Sequence, residues 1–316
     1  MAYLNLSICI PTFNRFQLLK NILDETLNFI LNNNIELCIS SNASSDGTDE
    51  YLKNLVLLHP KIKINLQKHN VGIDNNMIDV ISMASRDYIL PMGDDDILII
   101  EDFLSELKAL QAKPDLFILN CLNKGGHHLS QSLRGITFLD KNEAFLNLWS
   151  KMPFGSFIFS KKLFYKGLNN KFIGTSHAYS GYIWNAISLI DSPKIYCGIK
   201  PVIKFIDYPK TYLNDEFKIK FYQIPLWFTL LRDQYSIIDE RDILKNYMIY
   251  ICSFKMLLQY RAKDHFYLNN VKRYMSFFNH KQVKKAYYIS FFPRFILSFL
   301  LKKLKKIKKV IKWVIH

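Results

Sequence analysis

In the first third of the chain, apolar residues alternate between short β-rich runs and longer stretches with helical spacing. The run Leu4–Ile10 is apolar and is stopped by Pro11, which is typical of a buried parallel strand. Between Phe16 and Leu31 the apolar positions recur every three or four residues, which predicts an amphipathic helix. The alternation continues with strands over Glu36–Ser40, Ile62–Leu66 and Asp87–Pro91, and with helices over Asp49–Leu58 and Gly72–Ala84.

The later pattern changes from alternation to mainly helical spacing. We predict an α/β domain over 1–208 with a mostly parallel sheet flanked by helices, a helical region over 209–290, and a separate tail over 291–316. The remaining predicted elements are strands over Leu116–Asn120 and Phe154–Ser160, and helices over Glu101–Gln111, Ala178–Ile190, Pro225–Tyr235, Asp239–Tyr260 and Val271–Phe278.

Three loops of unusual composition follow the first, second and fourth predicted strands. These loops are Pro11–Arg15, Ser41–Thr48 and Gly93–Asp96. Strand–helix alternation builds an open sheet with right-handed crossovers, and ligands of such sheets bind beyond the carboxyl ends of the strands. We therefore expect the three loops to converge on one site.

The composition is that of a packed globular protein. Of the 316 residues, 49% are hydrophobic and 22% are charged, which excludes a disordered chain. Five scattered cysteines without a C-x-x-C spacing argue against a disulfide framework and a zinc site, so we expect buried thiols. No stretch reaches the roughly 18–20 apolar residues that span a bilayer, and no signal peptide precedes the first strand. We therefore expect a cytoplasmic protein.

The loop Gly93–Asp96 carries three consecutive aspartates. Like charges this close repel one another unless a cation is present, and a hard divalent ion with oxygen ligands relieves the repulsion. The alternative is a helix cap followed by acidic residues in the first helical turn, which accounts for one aspartate better than for three. The pattern therefore favours a metal site.

Five segments of the chain recur together in one known family. They read LSICIPTFNR at 6–15, SSNASSDGT at 40–48, NVG at 70–72, ASRDY at 84–88 and GDDD at 93–96. In order and spacing they resemble the GT-A nucleotide-sugar glycosyltransferases of family two. The residues of the segments at 40–48 and 93–96 resemble the abequosyltransferase-like branch of that family. The resemblance covers about residues 4–205 and implies a Rossmann-like GT-A fold, here with a C-terminal helical appendage.

The resemblance implies roles for the matched residues. Asp94 and Asp96 stand at the ends of the D-x-D signature as expected ligands of Mg²⁺ or Mn²⁺, which bridges the nucleotide diphosphate and neutralises it as it leaves. Asp94 is also expected near the ribose or donor sugar, with Asp95 in support. A solvated charge at the start of a helix is the alternative for Arg15. The residues implied for the first nucleotide-binding loop are Pro11, Thr12, Asn14 and Arg15.

The second loop departs from the family pattern. Most relatives place an aspartate against the base, where this chain has Ser41 and Asn42. Asn42 still presents a donor and an acceptor for a pyrimidine edge. For Asp46 we favour the cap of the following helix. Asp74 and Asn76 match the donor-side loop of the family, although by themselves they indicate only a helix start.

Inverting members of this family use a base, usually the aspartate of a Glu-Asp pair roughly 80–100 residues beyond the D-x-D. No such pair lies in that window here, and the matching turn is Gly174–His177. Because an imidazole titrates near neutral pH, we nominate His177 as the base. A helix-start histidine bonded to Ser176 or to backbone is the alternative. Asp191 is the second candidate, although it lies beyond the predicted helix and can equally cap the next turn.

The net charge of +15 is concentrated in the tail. Eight of these charges lie in residues 291–316, which contain no acidic residue. The apolar residues there form one helical stripe with lysines on the other face, and Trp313 suits an interface. Such a helix is typical of an anionic membrane surface, which we favour over packing on a partner protein and over nucleic acid.

Together these features predict a metal-dependent inverting glycosyltransferase, peripheral on the inner face of a bacterial cytoplasmic membrane. The expected donor is a nucleoside-diphosphate sugar, with UDP as the nucleotide, and the expected acceptor is a lipid-linked glycan of lipopolysaccharide, lipooligosaccharide, capsule or polyprenyl type. A sugar nucleotidyltransferase would need a Gly-rich phosphate loop, which Pro11–Arg15 is not. A degenerate membrane scaffold is supported only by the missing Glu-Asp pair and is opposed by Asp94–Asp96.

Overall fold

The computed structural model describes residues 5–123, 125–206, 216–231, 234–235, 240–262 and 268–291, together with Pro293, Ile296 and Phe299. The chain divides into two compact units. Unit 1 comprises residues 1–208 and 233–238, and unit 2 comprises residues 209–232 and 239–316.

Ten strands of the described residues form one sheet in unit 1. They are β1 (Leu6–Thr12), β2 (Glu36–Ser41), β3 (Lys63–Leu66), β4 (Tyr88–Pro91), β5 (Asp96–Leu98), β6 (Leu116–Asn123), β7 (Gly126–His127), β8 (Thr137–Phe138), β9 (Phe157–Ser160) and β10 (Ile195–Phe205). The main path of neighbours runs β3-β2-β1-β4-β9-β6-β10-β5, while β7 pairs with β6 and β8 pairs with β10.

Helices alternate with the strands in unit 1 and make up most of what is described of unit 2. In unit 1 they are α1 (Phe16–Asn32), α2 (Thr48–Leu58), α3 (Ile73–Ser82), α4 (Ile100–Leu107), α5 (Lys141–Leu148), α6 (Lys161–Gly167) and α7 (Ala178–Ser188). In unit 2 they are α8 (Glu216–Lys218), α9 (Ile224–Leu231), α10 (Glu240–Ile251), α11 (Phe254–Ala262), α12 (Leu268–Tyr274) and α13 (His280–Ser290), with a π-helical segment over Ile219–Gln223.

The half of the sheet formed by β3, β2, β1 and β4 is parallel, as the sequence pattern predicts. The helices α1, α2 and α3 connect these strands in turn. Successive side chains of β1 point to opposite faces of the sheet, and all five from Leu6 to Ile10 are buried, so both faces are covered and the run needs no polar alternation. The carboxyl ends of β1, β2 and β4 share one edge, so the loops that follow them are neighbours.

The other half of the sheet is mixed. The strand β9 lies between β4 and β6 and is antiparallel to both. The strand β10 is parallel to β6 but antiparallel to β5 and β8. The expectation of a mostly parallel sheet therefore holds only for the first half, because apolar periodicity predicts that a strand exists and not which way it runs.

Several elements differ from the sequence-based prediction. The strand β10 is not apparent in the sequence because Gly198 and Pro201 interrupt its apolar pattern, and its register against β6 shifts at the proline. The helix predicted over Glu101–Gln111 ends as α4 at Leu107 and continues as a 3₁₀ turn. The single helix predicted over Asp239–Tyr260 is divided into α10 and α11.

Unit 2 has an aromatic core of its own. Phe217 and Phe221 stack with ring centroids 4.1 Å apart, and Leu257 and Val271 pack in the same cluster. The predicted tail helix lies outside the described residues, apart from four positions (Phe291, Pro293, Ile296 and Phe299). Among the described residues, no helix has the length and apolar character needed to span a bilayer. The five cysteines are buried and free, as predicted.

Candidate active site

The three loops predicted to converge are joined by hydrogen bonds at the carboxyl edge of the parallel strands. The backbone N–H of Asn42 donates to the carbonyl oxygen of Thr12 at 3.0 Å. Asn14, which has a φ of 52°, accepts the N–H of Ser45 through Oδ1 at 2.7 Å. The Thr12 hydroxyl donates to Oδ2 of Asp94 at 2.7 Å, which joins the first loop to the third. The predicted convergence is confirmed.

Arg15 is bound to the third loop and is not a solvated charge at the start of α1. Its Nη1 lies 2.9 Å from Oδ1 of Asp94 and 2.8 Å from Oδ2 of Asp95, and its side chain is only 10% exposed. Burial disfavours the guanidinium charge, but the two carboxylates outweigh that effect and raise the pKa of Arg15. The interpretation as a solvated charge is therefore wrong, and contact of Arg15 with a nucleotide stays a prediction.

Asp94 is a buried carboxyl in a cluster of charges. Burial raises its pKa to about 6, and Asp95 adds to the rise, whereas Arg15 and the Thr12 hydroxyl oppose it. Because one guanidinium serves both Asp94 and Asp95, this pair keeps an excess of negative charge that a cation would relieve.

The helix-cap interpretation of the three aspartates is wrong. Asp96 begins the strand β5, and the next helix, α4, begins only at Ile100. The N-cap position of α4 is Ile99, and no side chain caps it. Asp94 and Asp95 therefore lie in the loop between β4 and β5, Asp96 is the first residue of β5, and none of the three lies in the first turn of α4.

The buried carboxylate of Asp96 lies between two glycines. Its Oδ2 accepts the backbone N–H of Gly93 at 3.1 Å. A Cβ atom at Gly93 would lie 2.6 Å from the same oxygen, and one at Gly155 would lie closer still. Gly155 also has a φ of 87°, in the left-handed region that favours glycine. Any larger residue at either position would displace the carboxylate.

These carboxylates fit a divalent cation that takes part of its ligand shell from outside the protein. Within the described ranges, no group of three His, Cys, Asp or Glu side chains is placed to hold a metal by itself. Mg²⁺, however, is usually bound through one or two carboxylates together with waters and substrate phosphates. Asp94 and Asp96 offer hard oxygen ligands of that kind.

The second loop is connected to the loop before α3. The amide of Asn42 donates from Nδ2 to Oδ1 of Asn70 at 3.0 Å, and its Oδ1 accepts the N–H of Val71 at 2.8 Å. The Ser41 hydroxyl donates to Asp49 in the first turn of α2. These contacts hold the loop in place, while contact of Ser41 or Asn42 with a nucleotide base stays a prediction.

Asp46 caps helices, as predicted, and caps two of them. Its Oδ1 accepts the N–H of Thr48 at 3.2 Å at the start of α2. Its Oδ2 accepts the N–H of Phe16 at 2.8 Å at the start of α1. Burial opposes ionisation, but these hydrogen bonds outweigh it and lower the pKa of Asp46.

The buried side chains of Asp74 and Asn76 bond to other parts of unit 1. Asn76 accepts the hydroxyl of Ser40 through Oδ1 at 2.7 Å and donates to the Ser40 carbonyl at 3.1 Å. Asp74 accepts backbone N–H groups from the turn at 174–178. A direct donor contact of either residue stays a prediction.

His177 occupies the N-cap position of α7. Its Nδ1 lies 3.1 Å from the carbonyl oxygen of Thr175. Because a carbonyl oxygen only accepts, Nδ1 carries the proton of the neutral ring and Nε2 carries the lone pair. The imidazole therefore has the tautomer that a base acting through Nε2 requires.

Two aromatic side chains connect this turn to Asp96. The ring of Tyr179 lies 6.1 Å from the ring of His177, nearly parallel to it, and 5.4 Å from the ring of Phe154, edge to face. Phe154 directly precedes Gly155, which packs against Asp96. A series of aromatic contacts therefore leads from His177 to the segment beside Asp96.

Asp191 and His177 lie at opposite ends of α7. Asp191 is exposed and follows the carboxyl end of α7, which begins next to His177. A helix of this length, 11 residues, spans about 16 Å. Asp191 is thus separated from His177 by the length of α7, and its role as the second candidate base stays a prediction.

Comparison with known proteins agrees with this arrangement. The family model described as glycosyl transferase family 2 matches residues 7–183, more than half of the chain. The chain belongs to glycosyltransferase family 2. The matched residues of this glycosyltransferase include the three converging loops and His177, whereas Asp191 lies beyond them.

The sequence is also similar to that of a curated protein. The chain is 36% identical over 125 residues to the abequosyltransferase RfbV of Salmonella typhimurium strain LT2. The alignment covers 36% of this chain and 34% of the relative, so the chain spans about a third of the relative's length.

Solved structures share the fold of this family-2 glycosyltransferase. S. aureus TarS 1–349 in complex with UDP-GlcNAc aligns with a TM-score of 0.57 and 12% identity, covering 90% of this chain and 88% of TarS. The mannosyltransferase PcManGT of Pyrobaculum calidifontis, in complex with GDP-Man and Mn²⁺, aligns with a TM-score of 0.50 and 13% identity, covering 91% and 87%. These likenesses establish a GT-A fold.

The sequence analysis of this glycosyltransferase did not identify Phe154, Gly155 or Tyr179. A weak signal was present, because a glycine within an apolar strand pattern often marks a close approach of another group. Gly155 is such a glycine, in the segment predicted as the strand Phe154–Ser160. The observed strand β9 begins only at Phe157, which leaves Phe154 and Gly155 in the loop beside Asp96.

Proposed function

We propose that this glycosyltransferase moves a sugar from a UDP-linked donor to a lipid-linked bacterial surface glycan, with inversion and with a divalent metal ion. The observation that carries the proposal is the contact set of Thr12, Arg15 and Asp94 at the carboxyl edge of the sheet, within the residues that the family model matches. Two loop residues thus fix the carboxylates where a ligand of such a sheet binds.

Asp94 and Asp96 would hold the cation. Bound Mg²⁺ or Mn²⁺ supplies charge neutralisation for the diphosphate leaving group. Arg15 keeps Asp94 and Asp95 in place, and Thr12 fixes the second oxygen of Asp94. The protein residues are therefore oriented before the donor arrives, which is the arrangement that makes electrostatic stabilisation effective.

His177 would act as the base of a single displacement. The acceptor hydroxyl forms a bond to the anomeric carbon, the bond from that carbon to the diphosphate breaks, and Nε2 of His177 takes the hydroxyl proton. The Thr175 carbonyl holds the proton of Nδ1, which keeps the lone pair on Nε2. Imidazole in this tautomer is a competent base near neutral pH.

A lipid-linked acceptor and a peripheral position on the inner membrane face are supported by charge and exposed aromatic residues. Eight of the fifteen excess positive charges lie in 291–316. In the described residues next to that segment, Tyr288 and Phe291 are exposed at the end of α13, and Lys284 lies over the ring of Tyr288. Aromatic and basic side chains together suit a headgroup interface.

The proposal is tested by screening nucleotide sugars for Mn²⁺-dependent thermal stabilisation and then for sugar transfer. We expect stabilisation by a UDP-sugar with Mn²⁺, and loss of this stabilisation in Asp96→Ala. Release of pyrophosphate from a sugar 1-phosphate and UTP would instead show a nucleotidyltransferase. Binding without hydrolysis or transfer of any donor would show a degenerate scaffold.

The base assignment is tested with His177→Ala and with Asp191→Ala as the matched control. We expect His177→Ala to retain donor binding and to lower turnover by about 100-fold or more. Asp191→Ala should keep wild-type turnover, because the carboxylate is exposed beyond the far end of α7. Wild-type turnover in His177→Ala together with a large loss in Asp191→Ala would show that Asp191 is the base.

A further inference from the structure

The turn that carries His177 is held by a carboxylate from a distant part of the chain. Oδ2 of Asp74 accepts the N–H groups of Gly174 at 2.8 Å and Ser176 at 3.0 Å, and Oδ1 accepts the N–H of Ala178 at 3.2 Å. Asp74 precedes Gly174 by 100 residues and is only 5% exposed. Two of its three partners are the N–H groups of Ser176 and Ala178, the residues on either side of His177.

The shape of this turn requires such support. Gly174 has a φ of 90° and Ser176 a φ of 57°, and the left-handed conformation of a non-glycine residue costs about 1–2 kcal/mol. In this conformation the N–H groups of every second residue, Gly174, Ser176 and Ala178, point toward the carboxylate of Asp74. Burial raises the pKa of Asp74, while the three N–H groups and the nearby His177 oppose the rise.

The usual local cap of a helix is replaced here. His177 stands at the N-cap position of α7 but makes no side-chain cap to the helix, and the N–H of Ala178, the first helical residue, goes to Asp74. A serine or aspartate at the N-cap would serve the helix start itself. Because Asp74 supplies that acceptor, the N-cap position can carry an imidazole whose Nε2 lone pair is not needed by the helix.

We propose that Asp74 is a positioning residue that sets the place of the His177 imidazole for proton transfer. This inference rests on the proposed role of His177 as the base. Asp74 acts on the backbone of the turn through both of its carboxylate oxygens. A base has to lie within hydrogen-bond reach of the proton it takes, and a displacement of about 1 Å can lower turnover by about 100-fold.

The same segment also anchors the donor side of the site. The N–H of Val71, three residues before Asp74, donates to Asn42 of the second loop at 2.8 Å. Gly72 lies between them with a φ of 85°, at the start of α3. The segment 70–74 thus holds the second loop at one end and the His177 turn at the other.

The test uses Asp74→Asn in the full chain, with Asp79→Asn as the matched control. An asparagine of nearly the same shape offers one oxygen, and its NH₂ group faces an N–H donor, so the turn loses at least one hydrogen bond. Asp79 lies in the same helix and its carboxylate is bonded to Gln67, away from the turn. We expect a 10- to 100-fold fall in kcat for Asp74→Asn with donor KM within about twofold, and wild-type values for Asp79→Asn.

A double-mutant cycle separates positioning from general damage. If Asp74 acts through His177, Asp74→Asn should have no further effect on the residual turnover of His177→Ala. An equal fall in both backgrounds, or wild-type kcat in Asp74→Asn alone, would overturn the inference. Wild-type turnover in His177→Ala would instead refute the proposed base. The failure of this inference and the failure of the proposed base are therefore distinguishable.

Two further measurements keep the inference testable if Asp74→Asn does not fold. Asp74→Glu keeps the charge and moves the carboxylate by one methylene, so it should lower kcat in the same His177-dependent way. Amide exchange in the wild type should be slow at Ser176 and Ala178, and faster in Asp74→Glu. Unchanged exchange at both amides would show that the carboxylate does not hold the turn.

Discussion

Replacing Gly155 by alanine tests whether Asp96 is fixed where the structure places it. Gly155 has a φ of 87°, so any L-residue there carries about 1–2 kcal/mol of backbone strain. The new Cβ would also overlap Oδ2 of Asp96 and lie 3.5 Å from the ring of Phe205. Because Oδ2 is bonded to the N–H of Gly93, the carboxylate has to break that bond to move away.

The expected loss follows from these two effects. Overpacking a buried site costs typically about 1–3 kcal/mol, so strain and overlap together should lower the free energy of unfolding by about 2–5 kcal/mol. A displaced Asp96 also no longer presents its oxygens as ligands. The Mn²⁺-dependent affinity for UDP should therefore fall at least about tenfold, which corresponds to about 1.4 kcal/mol.

Gly126→Ala is the matched control for the backbone strain. Gly126 has a φ of 101°, and no heavy atom of the described residues lies within 4 Å of the place its Cβ would take. Urea unfolding followed by circular dichroism measures the loss in both variants, and calorimetry with Mn²⁺ and UDP measures affinity. Equal losses of stability in the two variants, with unchanged affinity, would refute the view that Asp96 fills the space over Gly155.

Two further predictions concern stability. Burial raises the pKa of Glu36, but hydrogen bonds from Lys63, Ser7 and Ser85 outweigh it and hold the pKa at about 2, below the ordinary 4.5. Since Lys63 is 41% exposed, solvent reduces the gain, and Glu36→Gln should cost about 1–2 kcal/mol at pH 7. This stabilisation is present above pH 4.5 and is lost as the pH falls toward 2. In urea titrations the free energies of unfolding of the wild type and Glu36→Gln should therefore converge below pH 4.5. A difference that does not change with pH would contradict this. Asp46→Ala should cost about 1–2 kcal/mol in the same titration, because two helix starts lose their acceptor, and a cost below about 0.3 kcal/mol would show that water replaces it.

The parallel half of the fold and the place of the site were predictable because both depend on local pattern. Apolar runs and helical spacing locate β1, β2 and β4, and the loops after parallel strands meet at one edge whatever their sequence. The direction of β9 was not predictable in this way. A four-residue apolar run looks the same in either direction, and only its connections to β4 and β6 make it antiparallel.

The partners of the site residues were less predictable than their positions. Arg15 is separated from Asp94 by 79 residues and from Asp95 by 80, so no local pattern distinguishes it from a solvated helix-start charge. Asp74 shows the same limit, because its spacing after Gly72 suits a helix start and its three partners lie 100 to 104 residues away. Local sequence thus identifies polar residues at loop ends, and the tertiary fold decides which of them meet.

The contacts of Arg15 bear on why the chain has three consecutive aspartates where a cation site needs one or two. Asp95 is bonded to the guanidinium and Asp94 to both Arg15 and Thr12, whereas Asp96 is turned toward Gly93 and Gly155. If Asp94 and Asp96 held a cation, Asp95 would still connect Arg15 to the loop. Asp95→Asn should accordingly weaken Mn²⁺-dependent UDP binding less than Asp96→Asn does. Equal losses in a calorimetric titration would contradict this division of roles.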